Sequence, residues 1–104
     1  MGHKYYGREL IKTNGNVSAT DCRFELFAGD GPGLNWVFGY NSGNYRDWTI
    51  NSGIITVDEL NGTNYIIRSF VVNSTNTVWI DDVVLIDLTV AFGKGNEPSK
   101  EWCD

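Results

Sequence analysis

Alternation with a period of two constrains this chain more than any other feature. In Cys22-Arg-Phe-Glu-Leu-Phe-Ala28, the residues Cys22, Phe24, Leu26 and Ala28 are apolar, and Arg23 and Glu25 alternate with them. A strand sends successive side chains to opposite faces, so this segment buries one face and wets the other. Leu34-Asn-Trp-Val-Phe-Gly-Tyr40 repeats the pattern, with Leu34, Trp36, Phe38 and Tyr40 on one face and Asn35, Val37 and Gly39 on the other. The intervening Gly29-Asp-Gly-Pro-Gly33 has turn composition.

The same reading extends along the chain. Residues 4–12 form an earlier strand with a less clean face assignment. Another begins near Trp48, and Ile54, Ile55 and Val57 continue or restart it. After a turn centred on Asn61-Gly62 come two strongly β-rich segments, 65–72 and 77–88. In the last of these, the period places Asp82 on one face with Ile80 and Val84, where a carboxylate needs a partner. Six or seven strands with turns roughly every ten residues, and no long helix, predict an all-β antiparallel β-sandwich. A helical turn is expected at 89–92, with Thr89 as N-cap and Gly93 at its end. At 104 residues one core is expected, divided into a sandwich module over 1–88 and a C-terminal motif or linker over 89–104.

A formal charge of −5, with lysines and arginines scattered singly, disfavours nucleic acid and anionic membranes as partners. No apolar run approaches the about 20 residues of a membrane helix, and no secretory leader is recognisable. Asn16, Asn61 and Asn73 match the glycosylation sequon, as a chain rich in Asn, Ser and Thr does by chance. Cys22 and Cys103 are too few for a disulfide framework; a buried Cys22 and an exposed Cys103 are expected. His3 alone cannot supply a zinc site or a Ser-His-Asp triad. Asp30, Asp47, Asp58, Glu59, Asp81 and Asp82 offer no spacing that singles out a glycosidase pair, and residues 29–33 lack the Lys-Ser/Thr of a phosphate loop. The expectation is a protein that is not an enzyme.

Two stretches carry a resemblance. Thr77-Val-Trp-Ile-Asp-Asp-Val-Val-Leu-Ile-Asp-Leu88 resembles the final strand of jelly-roll, galactose-binding-like carbohydrate-binding modules. Asp87-Leu-Thr-Val-Ala-Phe-Gly-Lys-Gly-Asn-Glu-Pro98 resembles the DLTxxFGxGNEP motif of phage and prophage tail or baseplate-associated proteins, where it follows such a strand. The resemblance implies a jelly roll lacking one or two N-terminal strands, encoded with or cut from a larger phage structural protein. That implies manufacture in the bacterial cytoplasm, residence in a virion tail, and other domains of that protein as partners. It also implies cell-surface or polymeric glycan as ligand, and Asp81 as the position where related modules hold a structural calcium ion. Apart from that ion, no cofactor is expected.

Glycan recognition uses aromatic rings that stack on the apolar face of a sugar, flanked by groups that bond its hydroxyls. Trp36, Tyr40, Tyr45 and Trp48 lie close in sequence among Asn35, Asn41, Asn44, Arg46 and Asp47. Trp36 and Trp48 read first as structural, since an aromatic stripe at strand spacing is usually core, although Trp48 is kept among the candidates. Tyr40, Asn44, Tyr45, Arg46 and Trp48 are the ligand-binding candidates, because loops on a rigid scaffold carry function. The alternative is a structural or protein-interaction module that forms a homo-oligomer through an uncovered sheet edge.

Overall fold

The computed structural model describes residues 2–18, 22–28, 35–57, 65–72 and 75–104. Leu34, the loop at 29–33, Asp58, Glu59, the turn at Asn61 and the sequon at Asn73 lie outside the described residues. The elements are β1 (His3–Thr13), β2 (Asn16–Val17), β3 (Cys22–Ala28), β4 (Asn35–Tyr40), β5 (Gly43–Asn44), β6 (Thr49–Val57), β7 (Tyr65–Val71), β8 (Val78–Asp87), α1 (Leu88–Phe92) and α2 (Lys100–Cys103). One sheet has the order β6-β1-β8, a second β4-β3-β7, and β2 and β5 make a small ribbon, with antiparallel pairing throughout. The fold is all-β and sandwich-like.

The sheets come into close contact over a pair of glycines. Gly7 of β1 faces Gly53 of β6. A methyl group at Gly7 would sit 2.6 Å from the Phe38 ring, and one at Gly53 only 2.0 Å from the Phe38 carbonyl oxygen. Only residues without a Cβ let β4 settle there. Around this contact Phe24, Leu26, Phe38, Ile55 and Val57 form one core, with Tyr5, Trp36 and Ile67 packed against it. Farther along β1, Ile11, Val17 and Cys22 form a second core with Tyr45, Val78 and Ile80. On β1, Glu9 lies between the two.

Two bulges overturn the simple period. In β3–β4, Gly39 faces Phe24 but Val37 faces Glu25, so Phe38 is an extra residue. Trp36 and Phe38 therefore both reach the core. Tyr40, expected on their face, instead lies across from Arg23 and is 62% exposed. In β8, Val84 faces Arg8 while Asp81 faces Leu10, again one residue too many. Asp82 takes φ +49°, a left-handed conformation Asp tolerates, and is exposed. Ile80 then faces Ile11 on the core side, and Val84 turns to the other side with Arg8. Asp82 does not share a face with both, because the period breaks at Asp82 itself.

After β8 the chain folds back. Asp87, rather than Thr89, caps α1: its carboxylate accepts from the Val90 amide at 3.0 Å, because the cap lies two residues earlier than expected and the helix buries Leu88. Thr89 is freed for another task. It accepts from the Lys4 amide at 2.9 Å and donates to Glu97 at 2.8 Å, and Glu97 also accepts from the Gly95 amide at 2.8 Å. Gly93 and Gly95 both have positive φ, +95° and +86°. Asp87, Leu88, Thr89, Gly93, Gly95 and Glu97 thus each have work inside the chain. Ser99 caps α2, and Asp104 accepts from the Tyr6 and Ser52 hydroxyls at 2.6 and 2.7 Å. Burial and the bond to Asp104 push the Tyr6 phenol up to about 12.

Candidate functional site

The candidate residues separate onto different surfaces. Tyr45 is engaged within the protein. Its amide donates to the Thr13 hydroxyl at 2.9 Å, its carbonyl accepts from the Thr13 amide at 2.7 Å, and its phenol bonds the Ser42 backbone. Its ring packs against the Ile11 core. Asn44 pairs with Asn16 through β5 and accepts from the Thr13 hydroxyl at 3.4 Å. Asn41 is buried, donating to the Cys22 sulfur at 3.6 Å. These contacts hold the 41–48 loop against the end of β1, leaving Arg46, Asp47 and Trp48 exposed at its far side.

Trp48 directly precedes β6 and is exposed. The β1–β6 ladder ends where Ile11 faces Thr49, and the next residue of β1, Lys12, faces Trp79 of β8. The two tryptophans thus lie toward the same end of β1, one beside each of its neighbouring strands. They are 46% and 44% exposed. Neither ring packs against another aromatic ring among the described residues, and neither Lys12 nor Arg46 makes an ion pair there. Ile50 and Leu10 form the next row, with Asp81 beyond. Flat apolar rings set apart by a flexible donor can hold the hydrophobic faces of a ligand while the ammonium and guanidinium groups bond its oxygens.

Trp79 was not among the candidates. The alternation of Val78, Trp79 and Ile80 carries the signal: if Ile80 faces the core, Trp79 cannot. Asp81 sits at the β8 bulge, exposed, with its carboxylate accepting from the Asp82 amide at 2.8 Å. Among the described residues no group of three His, Cys, Asp or Glu side chains gathers around it or elsewhere.

Tyr40 belongs to the outer face of the other sheet. It stands in a row with Arg23 and Phe70; the next rows are Val37–Glu25–Arg68 and Asn35–Phe27–Ile66. Glu25 at the centre has no solvent exposure. It accepts from Arg23 Nε at 2.7 Å, Arg68 Nε at 2.5 Å and Asn35 Nδ2 at 3.0 Å. The guanidinium of Arg23 lies 3.9 Å over the Phe70 ring and that of Arg68 4.2 Å over Phe27. Burial alone would raise the Glu25 carboxyl, but these donors hold it below the usual carboxylate range. This lattice satisfies itself and leaves Tyr40 at its margin.

No protein-family model, no curated protein and no solved structure matches the chain.

Proposed function

We propose that the chain is a non-catalytic glycan-binding module whose contact surface is the outer face of the β6-β1-β8 sheet. The observation that carries this reading is the pair of half-exposed tryptophans toward one end of β1, Trp79 facing Lys12 and Trp48 just before β6. A linear polysaccharide would lay successive rings on the two indoles. Lys12 and Arg46 bond its hydroxyls or acidic groups, and Asn44 and Tyr40 stand outside the main contact. β8 holds the Trp79 ring in place before the ligand arrives, which limits the entropy lost on binding. The resemblance of residues 77–88 and 87–98 to the carbohydrate-binding modules and DLTxxFGxGNEP motif of phage and prophage tail proteins supports the same reading, with cell-surface glycan as target. A shallow site of this kind binds with millimolar to micromolar affinity, about 4 to 8 kcal/mol.

Titrating the protein with a panel of oligosaccharides, followed through the indole resonances of Trp48 and Trp79, tests it. The expected result is saturable shifts for at least one sugar and at least tenfold weaker binding in Trp48→Ala and Trp79→Ala. If no oligosaccharide moves either indole, the reading fails.

A second reading is self-association through β7. Among the described residues β7 pairs only with β3, and it carries exposed Ile66 and Val71. The outer edge of β8 carries a bulge with Asp81 and Asp82, devices that discourage strand addition. Light scattering separates the readings: a dimer abolished by an Ile66→Lys substitution supports the second, and a monomer at all concentrations removes it.

A further inference from the structure

The start of β1, the end of β6 and the turn after α1 enclose an open cleft of about 370 Å³, lined by Gly2, Lys4, Thr56, Lys94, Gly95 and Glu97. It is of small-ligand size. Lys4 and Thr56 are direct cross-strand partners, so their side chains rise side by side from the sheet. Lys94 comes from the tight turn between Gly93 and Gly95.

The charges in the cleft are unevenly matched. Glu97 is its one carboxylate, and both oxygens already carry donors: Oε2 takes the Thr89 hydroxyl and Oε1 the Gly95 amide. Thr89 is itself fixed by the Lys4 amide, so the wall on this side is braced to β1. Lys4 and Lys94, by contrast, make no ion pair among the described residues, although the chain has a formal charge of −5. Arg23 and Arg68 hold Glu25 and Lys100 holds Asp104, whereas Lys12 and Arg46, like Lys4 and Lys94, make no ion pair among the described residues. Lys4, Lys94 and Thr56 thus line one hollow together with a single carboxylate, Glu97, whose oxygens already carry donors and which also feels the Lys4 charge.

We propose that this cleft is an oxyanion site, taking the phosphate or carboxylate group of a small ligand between Lys4 and Lys94, with the Thr56 hydroxyl as a further donor. Lysines serve such groups as mobile point charges. Lys4 shares its face of β1 with Lys12 but lies eight residues away, toward the opposite end of the strand from Trp79.

The test is to titrate the full chain at constant ionic strength with inorganic phosphate, glucose 1-phosphate and glucuronate, following the amides of Lys4, Thr56, Gly95 and Glu97. Saturable shifts at these amides are expected, at least tenfold weaker in Lys4→Gln/Lys94→Gln, while Trp48→Ala leaves them unchanged. Response to the two phosphates alone assigns the site to phosphate groups, and response to glucuronate alone to carboxylates. Shifts that chloride reproduces, that persist in the double variant, or that none of the three anions produces overturn the proposal. Because both lysines are at the surface, the double variant's otherwise unchanged spectrum verifies that it is folded.

Discussion

Glu9 and Glu25 both have no solvent exposure, and their surroundings differ in kind. Glu9 lies between the sheets, accepting from the Ser69 hydroxyl and from Asn51 Nδ2 at 3.2 Å, with Asn41 also bonded to it. Glu25 lies beneath two guanidinium groups on the outer face of one sheet. Burial raises the Glu9 carboxyl, and its neutral partners only partly offset this. At Glu25 cationic donors reverse the effect of burial. Neutral hydrogen bonds satisfy a buried carboxyl without strongly favouring its charged form; arginines do both. The group facing Glu9 that can also titrate is Cys22, whose thiol is raised by burial, with the Glu9 charge adding to the effect.

The most damaging change to this contrast is Glu25→Ala. It leaves Arg23 and Arg68 stacked on phenylalanines without their shared anion, and should cost about 3 kcal/mol, at the low end because both can partly rehydrate. Urea denaturation at pH 7 measures it, and a loss below about 1 kcal/mol would mean that the aromatic rings alone hold the arginines. Glu9→Ala comes next, at about 2 kcal/mol, for a small cavity and unpaired Ser69 and Asn51 groups. Arg68→Lys should cost about 1 kcal/mol, since an ammonium cannot both lie flat over Phe27 and bond Glu25 as a fork does.

The smallest effect, and the sharpest, is Glu9→Gln. It keeps the shape and removes the titration, so at pH 7 the variant should match the wild type or exceed it by up to about 1 kcal/mol. The sign of its pH dependence follows from linkage. With a raised folded value, Glu9 contributes fully below the ordinary carboxyl range of about 4.3, and that contribution is lost as pH rises through its folded value. The advantage of Glu9→Gln should therefore grow from about pH 4 upward and vanish below it. Glu25 behaves oppositely: its contribution is present above about pH 4.3 and is lost as pH falls through its lowered folded value. Thermal melts of the wild type and both glutamate variants across pH 3 to 8 distinguish the two; parallel curves would refute the contrast.

Much of this architecture was legible in the residue pattern because alternation is a local property. The strands at 22–28, 65–71 and 78–87, and the burial of Phe24, Leu26 and Cys22, follow from a face that must be dry. The errors concentrate where one inserted residue resets the period. Phe38 and Asp82 look ordinary in sequence, yet each flips the residues beyond it, so Tyr40 left the core and Ile80 parted from Val84. The candidate loop was legible in part. Arg46 is exposed as a loop residue should be, and Trp48 is exposed against its first reading as core, whereas Tyr45 is engaged by Thr13, a residue remote in the chain. Trp79 was hidden for a like reason: its neighbour Lys12 comes from another strand.

What the sequence by itself determined is the class of the protein: short amphipathic strands, a single core's worth of apolar residues, an acidic surface, and a glycine-punctuated C-terminal segment. Only the tertiary structure decided which residues share a surface. It set Gly7 against Gly53 to admit Phe38, gathered Arg23 and Arg68 around Glu25, set Trp79 beside Lys12 on the outer face, and brought Lys94 back to Lys4. The physical reason is that alternation specifies which side of a strand a residue takes, whereas neighbours across strands depend on register, and a single bulge changes register without leaving a mark in composition.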